Sequence, residues 1–511
     1  MSRGLGDVYK RQIKYIVPHN FGKEDIIMKT LEKLTEENVF KYFSEISKIP
    51  RGSGNEKAIS DYLLNFGKSL GLESIQDDAN NIIIKKPATK GYENAPTVII
   101  QGHMDMVCEK NKDKVHDFTK DPIELVVKDD YIYANGTTLG ADDGIAVAYA
   151  MAILDSNNIS HPALEVLITT DEEAGMSGAM ALSPEHISGK IVLNLDNEEE
   201  GKLLVSCAGG IRTKSSIKIQ LEDKKEATKE FSIEVKGLKG GHSGMEIHLG
   251  KGNSNKIIGR ILKNISNEIS FNLASIEGGS KNNAIPREAS AVISINETDK
   301  DKLFEIVSNL TKDLKNEFAT KDPGLLINIC ETTLANNKVI SNEITQKVVD
   351  LLYMYPNGVN TESVDIKGLI ESSTNLGVVL MNDNEVEFDS AVRSSVFSLR
   401  EDIVEKIKCI TELLGGEFSS NAGYPEWPYK ADSKIREICK DVFKRMYNKE
   451  PEIVAIHAGV ECGLFKEKLG DLDMISFGPD LYDVHTPNEH MSISSVERCY
   501  EYLLEVLKEI K

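Results

Sequence analysis

The sequence predicts an α/β protein in which a mostly parallel sheet with helices on both faces is interrupted by an inserted αβ domain. Short apolar runs, each ended by polar or charged residues, alternate with helical patterns, as in a sheet that is buried on both faces. The middle of the chain alternates apolar and polar residues, which is typical of half-exposed strands. The first pattern resumes towards the C-terminus, so we expect the main domain to be discontinuous in sequence.

Four apolar runs predict the strands of the main sheet. They span residues 97–103, 163–173, 190–199 and 472–480. In sheets of this kind, ligands bind beyond the carboxyl ends of the strands. Three of the runs place carboxylates or a histidine at that end, so we expect the functional site there.

The inserted domain is predicted from elements of a different pattern. They are two half-exposed strands, an amphipathic helix and a second strand-and-helix unit, at residues 230–237, 288–296, 301–315, 384–396 and 400–416. The pattern of the main domain resumes at about residue 428. A separate αβ domain is therefore expected between the two parts of the main domain.

The chain is expected to divide into four segments. Residues 1–27 lack the apolar core and the cleavage site of a secretory signal, and we interpret them as an extension outside the fold. A natural start at Met28 is favoured, because a helical pattern with Thr35 as a candidate N-cap follows at once. The other segments are the first part of the main domain, the inserted domain and the second part of the main domain, at residues 28–207, 208–427 and 428–511.

Composition and charge exclude several classes of protein. A chain of 511 residues with 40% hydrophobic content is long enough for two or three folded domains. Its formal net charge of -21 predicts repulsion from nucleic acids and from anionic membranes. The apolar stretch at residues 145–154 is far shorter than the roughly 20 residues that a membrane span requires. The seven cysteines are scattered and odd in number, which favours a reducing cytoplasm.

Histidines and carboxylates form the candidate chemistry of the site. His103 and Asp105 follow the first predicted strand, and residues two apart in an extended segment point to the same side. Further candidates past predicted strand ends and turns are Asp142, Glu172, Glu173, Asp196 and His485. Imidazole nitrogen with carboxylate oxygen suits zinc, manganese or cobalt in a hydrolytic site. Taken singly, each of these residues is as easily explained as a turn, a helix cap or a solvated side chain.

Eight motifs together resemble those of the M20 metallopeptidases, in the same order along the chain from about Met28 to the C-terminus. They are GHMD, GADDGIAVA, DEEAGMSGA, LDNEE, GGHSGMEIHLGKGNSNK, NNAIPREA, HAGVECG and DVHTPNEHMSI. GHMD alone is moderately specific. The blocks GGHSGMEIH and HAGVECG narrow the resemblance to the aminoacyl-histidine dipeptidase branch, also called Xaa-His or beta-alanyl-histidine dipeptidase.

The resemblance implies a centre of two divalent metal ions per chain, zinc first, with manganese or cobalt as alternatives. The implied ligands are His103, Asp142, Glu173, Asp196 and His485. His103 would bind one ion and His485 the other. Asp142 would bridge them, because the family pattern places the bridging carboxylate on the first acid of GADDG and not on Asp143.

The resemblance also implies two catalytic carboxylates. Asp105 would accept a hydrogen bond from the distal nitrogen of His103, which fixes the tautomer of a metal-binding imidazole. Glu172 would be the general base, which takes a proton from water and passes it to the departing amine. The attacking species would be a hydroxide that bridges the two ions.

The inserted domain would act as a lid and as the dimerisation domain. Its glycine-rich segment GLKGGHSG can turn tightly and present His242 to the site, in its own subunit or across a dimer interface, as a donor to the developing oxyanion. Asn283, Arg393 and Gly459 are implied as further substrate contacts. Arg393 is suited to a bidentate grip on a free α-carboxylate, and an exposed structural arginine is the ordinary alternative.

The function implied is that of a cytoplasmic, metal-dependent dipeptidase that cleaves small peptides of the Xaa-His type, such as carnosine. One alternative is a dipeptidase, tripeptidase or amidohydrolase of broader specificity, because related M20 branches use nearly the same metal residues. Another is an inert, metal-bound scaffold that binds partners through its lid. Glu172 beside Glu173 argues against the scaffold, which would have no need of a base.

Overall fold

The computed structural model describes residues 31–34, 37–334, 336–364, 366 and 368–511. The predicted extension, the start at Met28 and the candidate cap Thr35 lie outside the described residues. The helix predicted after that cap begins at Asn38.

The elements fall into three stretches of the chain. Up to Cys207 they are α1 (Leu31–Leu34), α2 (Asn38–Ile46), α3 (Lys57–Ser69), β1 (Glu73–Gln76), β2 (Ile82–Lys86), β3 (Val98–His103), β4 (Leu125–Lys128), β5 (Tyr131–Ala134), α4 (Ala141–Asp155), β6 (Leu164–Thr169), α5 (Ser177–Ala181), β7 (Ile191–Asn194) and β8 (Lys202–Cys207). The middle stretch contains β9 (Gly209–Lys218), β10 (Leu221–Asp223), β11 (Thr228–Lys236), β12 (Gly241–His242), α6 (Ser254–Ser266), β13 (Phe271–Gly278), β14 (Ala284–Ile285), β15 (Ala289–Asn296), α7 (Lys300–Glu317), β16 (Leu326–Thr332), β17 (Lys338–Ile340), α8 (Asn342–Met354), β18 (Gly358–Glu362), β19 (Ile370–Met381), β20 (Glu385–Ser394), α9 (Phe397–Leu413) and β21 (Glu417–Tyr424). The last stretch contains α10 (Lys434–Tyr447), β22 (Glu452–Ile456), α11 (Glu461–Leu469), β23 (Asp473–Ser476), β24 (Leu481–Tyr482), β25 (His490–Ser492) and α12 (Ile493–Glu509).

The main sheet has the strand order β1-β2-β6-β3-β7-β23-β8-β22. Its four central strands, β6, β3, β7 and β23, are parallel, and they are the four apolar runs from which the sheet is predicted. On one side, β1 and β2 add antiparallel strands; on the other, β8 and β22 run parallel to each other. The parallel part is thus the centre of a mixed sheet.

Both faces of the main sheet are covered, because neighbouring residues of each buried strand pack into different cores. Val98 and Ile100 of β3 pack into a core that includes α2, α4 and α12. Ile99 lies between them in sequence and packs into a core that includes α5 and α11. The predicted α/β fold class, with helices on both faces, is confirmed.

The second sheet is antiparallel and belongs to the middle stretch of the chain. Its strand order is β16-β11-β15-β13-β19-β20-β9-β21, and β18 pairs with β19. One face packs on α6, α7, α8 and α9. Buried and more exposed residues alternate along much of β11 and β15, as the half-exposed pattern of the sequence predicts.

The chain crosses between the two sheets at two neighbouring points. It leaves the main sheet after Cys207 and enters the second sheet at Gly209. It leaves the second sheet after Tyr424, and Trp427 then pairs with Cys207. On this basis we propose residues 208–427 as the inserted domain, with residues 28–207 and 428–511 as the main domain.

None of the helices in the described part of the chain is both long enough and apolar enough to cross a bilayer.

Candidate metal centre

The predicted metal residues lie at one edge of the main sheet. His103 is the last residue of β3, and Asp196 follows the end of β7. Glu172 and Glu173 lie in the loop after β6. Because β3, β6 and β7 are parallel, their carboxyl ends meet, and this brings residues that are far apart in sequence to one place.

Asp142 lies between the two histidines. It is the second residue of α4. Its Oδ1 is 3.2 Å from Nε2 of His103, and its Oδ2 is 3.1 Å from Nε2 of His485. The neighbouring Asp143 is buried and points elsewhere, since its Oδ2 accepts a hydrogen bond from the backbone N–H of His103 at 3.2 Å. Of the two adjacent acids, Asp142 is the one that faces both imidazoles.

Two sets of donor atoms share Asp142. One set comprises His103, Asp142 and Asp196, and the other comprises Asp142, Glu173 and His485; within each set the donor atoms lie within 4.8 Å of one another. Oε1 of Glu173 is 2.9 Å from Nε2 of His485. We call these five residues the metal-ligand cluster. His103 is buried whereas His485 is exposed, so the cluster is open to solvent on the His485 side.

Asp105 connects His103 to the loop that carries Glu172 and Glu173. Its Oδ1 is 3.3 Å from Nδ1 of His103. The carboxylate also accepts hydrogen bonds from Oγ of Ser53 at 2.7 Å and from the backbone N–H groups of Glu172 and Glu173 at 3.1 and 3.2 Å. Burial opposes ionisation of Asp105, but the contacts with His103 and Ser53 lower its pKa to about 2.

The electrostatics of the cluster fit a bound cation. Burial, together with the charge of Asp142, raises the pKa of Asp196 to about 8. Burial likewise raises the pKa of Glu172 to about 9, whereas hydrogen bonds with Asp142 and Glu173 raise the pKa of His485 to about 11. Asp142 and Glu173 form their ion pairs with His103 and His485. Among the described residues, no Lys or Arg forms an ion pair with the carboxylates of the cluster. Divalent cations satisfy such closely spaced oxygen and nitrogen donors.

His242 and Asn283 lie next to each other on a two-stranded ribbon of the inserted domain. β12, which ends at His242, pairs with β14, and the carbonyl of Asn283 accepts a hydrogen bond from the backbone N–H of Ser243 at 2.9 Å. Nδ1 of His242 accepts one from the backbone N–H of Met245 at 3.1 Å. Burial, and after it the charge of Arg393, lowers the pKa of His242.

Arg393 and Gly459 both contact Tyr424. Arg393 lies on β20, and its guanidinium donates a hydrogen bond to the Tyr424 hydroxyl. A Cβ at Gly459 would collide with the Tyr424 ring, so this close approach requires glycine. Arg393 is 8% exposed and its buried Nε has no hydrogen-bond partner. It is therefore not an exposed surface arginine.

We call His242, Asn283, Arg393 and Gly459 the arginine cluster. Among the described residues, no hydrogen bond or ion pair joins it to the metal-ligand cluster. The structure thus gathers the predicted site residues into two groups.

Three residues that contact the site were not predicted from the sequence: Ser53, Tyr424 and Glu461. Glu461, at the start of α11, is fully buried and accepts hydrogen bonds from Gln101 and Thr169, each at 2.7 Å. It joins β3 to β6 through these bonds, and burial raises its pKa to about 7. The sequence signal for Glu461 was its two donors, Gln101 and Thr169, which are polar residues inside mostly apolar predicted strands. Ser53, in a glycine-flanked turn, carries no such signal.

Imidazoles and carboxylates gathered at the carboxyl edge of a parallel sheet are the arrangement of a metal-dependent hydrolase. Residues 99–509 match the family described as "Peptidase family M20/M25/M40", and the chain belongs to that family. It is a metallopeptidase, and the membership predicted from the motifs is confirmed.

Relatives of known structure or name extend this result over nearly the whole chain. The chain is 40% identical to the cytosol non-specific dipeptidase of Escherichia coli (strain K12) over 484 residues, which cover 94% of this chain and 99% of the relative. The crystal structure of aminoacylhistidine dipeptidase from Vibrio alginolyticus matches with a TM-score of 0.91 and 37% identity, covering 94% of this chain and 98% of that one. Aminopeptidase PepT from Bacillus cereus ATCC 10987 shares the fold at 18% identity, with a TM-score of 0.55 over 94% of this chain and 99% of that one.

Proposed function

We propose that the protein is a metal-dependent dipeptidase that hydrolyses Xaa-His dipeptides such as carnosine. The observation that carries the proposal is the position of Asp142, whose two carboxylate oxygens face two different histidines. A single carboxylate shared in this way suits a pair of ions. Each ion would have three protein ligands with nitrogen and oxygen donors, which suits zinc, with manganese or cobalt as alternatives.

The five residues of the metal-ligand cluster would hold the ions. His103 and Asp196 would bind one, Glu173 and His485 the other, and Asp142 both. Two divalent ions held together acidify water and polarise a substrate carbonyl. Asp105 would keep the His103 ring in the orientation and tautomer that leave Nε2 free to bind metal.

Glu172 would act as the general base. Its backbone N–H is fixed by Asp105, which places its half-buried side chain next to the metal-ligand cluster. The carboxylate of Glu172 would take up the proton of the attacking water and then deliver it to the amine that leaves. The adjacent Glu173 would serve as a ligand and not as a base.

The arginine cluster would bind the substrate. The guanidinium of Arg393, which has no carboxylate partner among the described residues, would grip the α-carboxylate of the dipeptide. His242 would donate to the oxyanion that develops on the cleaved amide, and Asn283 and Gly459 would contact the substrate. A dipeptide bound between the two clusters would bridge them, and His242 would reach it in its own subunit or across a homodimer formed through the inserted domains.

A broader specificity is the second candidate, because the names of the two relatives differ. The Escherichia coli protein is named a cytosol non-specific dipeptidase, and the Vibrio protein is named an aminoacylhistidine dipeptidase. A cytoplasmic location is proposed with either, on the name of the Escherichia coli relative.

Metal analysis followed by turnover on a panel of peptides tests the proposal. The panel contains carnosine, Ala-His, Ala-Ala, Leu-Gly and the tripeptide Ala-Ala-His. We expect two ions per chain and cleavage of the first two peptides well above the others. Equal cleavage of all the dipeptides supports the broader dipeptidase, cleavage of the tripeptide supports a tripeptidase, and bound metal without turnover supports the inert scaffold.

A further inference from the structure

Glu489 is a buried carboxylate that binds the backbone at the start of α4. It is 2% exposed. Its Oε2 accepts hydrogen bonds from the N–H groups of Leu139 and Gly140 at 2.8 and 3.1 Å, and its Oε1 accepts one from Ala141 at 2.8 Å. A longer contact of 3.4 Å reaches the N–H of Asp142. Glu489 therefore fixes the backbone that carries the shared ligand.

The loop that ends at Glu489 also carries a predicted metal ligand. Residues 483–489 connect β24 to β25, and His485 lies in this loop. His490, which directly follows Glu489, stacks between the rings of Tyr133 and Tyr482. The distances from the centroid of the His490 ring to the centroids of these two rings are 4.6 and 5.0 Å. The bonds of Glu489 to the start of α4 and the stacking of His490 thus anchor this end of the loop that carries His485.

Arg51 is a second buried residue that binds the backbone before α4. It is 2% exposed. One guanidinium nitrogen donates to the carbonyls of Met104 and Asp105 at 3.0 and 3.2 Å, and the other donates to the carbonyl of Gly140. Arg51 therefore ties Met104 and Asp105, which directly follow His103 at the end of β3, to the loop before α4.

We propose that Glu489 and Arg51 are positioning residues that hold the segments of His103, Asp142 and His485 in register for both metal ions. Each residue binds backbone groups of ligand-bearing segments and neither contacts the substrate residues named above. The inference rests on the proposed two-metal function. It predicts that the pair sets the affinity for metal, while the KM for substrate in the metal-saturated enzyme stays near the wild-type value.

Glu489→Gln is the sharpest perturbation, because it keeps the shape of the side chain. The carboxylate has two acceptor oxygens for these N–H groups, and the amide has one. Its NH2 group would face N–H donors, so one pair of hydrogen bonds is lost whichever way the amide turns. Outer partners of metal ligands change metal affinity by about 10- to 100-fold. Since Asp142 belongs to both donor sets, both ions should be affected.

Glu165→Gln is the matched control. Glu165 is also buried, at 3% exposed, and its carboxylate accepts hydrogen bonds from the N–H groups of Ser188 and Gly189 at 2.9 and 2.8 Å. It lies near the start of β6, at the edge of the sheet opposite the metal-ligand cluster. Both N–H groups bond to the same oxygen, Oε2, so the amide oxygen can keep these bonds. The variant therefore controls for the change of a buried carboxylate to an amide, and it has no connection to a metal-bearing segment.

The experiment measures zinc binding to metal-free wild type, Glu489→Gln and Glu165→Gln by competition with a chromophoric chelator, together with the visible spectrum of the cobalt-loaded proteins. We expect the dissociation constants of both ions to rise about 10- to 100-fold in Glu489→Gln, with an altered cobalt spectrum. Glu165→Gln should bind like wild type. If Glu489→Gln does not fold, Arg51→Lys replaces it, because lysine keeps the charge but lacks the planar fork that reaches three carbonyls.

Wild-type affinity for both ions in the folded variant overturns the inference, as does a loss confined to one ion or an equal loss in Glu165→Gln. These outcomes leave the two-metal function standing. Wild-type protein that binds fewer than two ions overturns the proposed function and this inference with it.

Discussion

Replacement of Asp105 perturbs metal binding through contacts that can be followed one by one. Oδ1 of Asp105 contacts Nδ1 of His103 at 3.3 Å and the N–H of Glu172 at 3.1 Å. Oδ2 contacts the hydroxyl of Ser53 at 2.7 Å and the N–H of Glu173 at 3.2 Å. In Asp105→Asn, the amide oxygen can keep the first two contacts. The hydroxyl of Ser53 can turn to accept from the amide NH2 group, whereas the N–H of Glu173 loses its acceptor.

The size of the effect follows from these contacts. A hydrogen bond to a charged group contributes about 1.5–3 kcal/mol and a neutral one about 0.5–1.5 kcal/mol. Loss of the charge opposite His103 therefore weakens the orientation of the ring by about 1–1.5 kcal/mol. Since about 1.4 kcal/mol is a factor of ten, Asp105→Asn should weaken the ion at His103 by about tenfold. Asp105→Ala removes every contact, and the loss should approach 100-fold, the upper end for such partners.

The assay is titration of the metal-free proteins with zinc against a chelator of known affinity. Ser53→Ala is the matched control, because it removes one donor to Asp105 and leaves the carboxylate and His103 in place; it should weaken binding by no more than about fivefold. Asp105→Ala with the zinc affinity of the wild type would refute the assignment of Asp105 as the residue that orients His103.

Three further predictions concern the base, the substrate clamp and pH. Glu172→Gln keeps the shape of the base but cannot take up the proton, so kcat should fall about 10²–10⁴-fold with metal content still near two; steady-state kinetics with elemental analysis measures this, and near-normal turnover would remove Glu172 from the role. Arg393→Ala should raise KM for free dipeptides and should discriminate little between a dipeptide and its C-terminal amide, whereas the wild type should handle the amide poorly; equal cleavage of both by the wild type contradicts a carboxylate clamp. In the metal-free protein, burial raises the pKa of Asp196 to about 8 and that of Glu172 to about 9. The folded state therefore binds these two protons more tightly than the unfolded state does. The stability that results is fully present below about pH 4, the usual carboxyl pKa, and is lost as the pH rises through the raised pKa values. The melting temperature in chelator should fall between about pH 5 and pH 9, and a rise would contradict the burial of these carboxyls.

The sequence predicts the centre of the fold well because the central strands carry a strong local signal. The four apolar runs become β3, β6, β7 and β23. Run lengths are less well predicted: the run at 163–173 extends past Thr169, where the strand ends, and Asp171 then adopts a left-handed φ of 58°. The antiparallel outer strands were not predicted, because pairing at the flanks of a sheet depends on partners that lie far away in sequence.

The candidate ligands were found from the sequence because they combine chemistry with position, each following a strand or opening a helix. The residues that support them were not. Ser53, Arg51 and Glu489 act mostly through hydrogen bonds to backbone groups or to a single carboxylate. Such contacts need only a donor or an acceptor at the right place, so no spacing or composition reveals them.

The most direct test of the central claim is the metal content of Asp142→Ala, compared with wild type and with Asp143→Asn. Elemental analysis after gel filtration should give two ions per chain for the wild type and for Asp143→Asn, since Asp143 faces the backbone of His103 and not the ions. Asp142→Ala should lose occupancy at both positions, because one carboxylate faces both histidines. Full retention of two ions by Asp142→Ala, with loss in Asp143→Asn, would contradict the account and assign the bridge to Asp143.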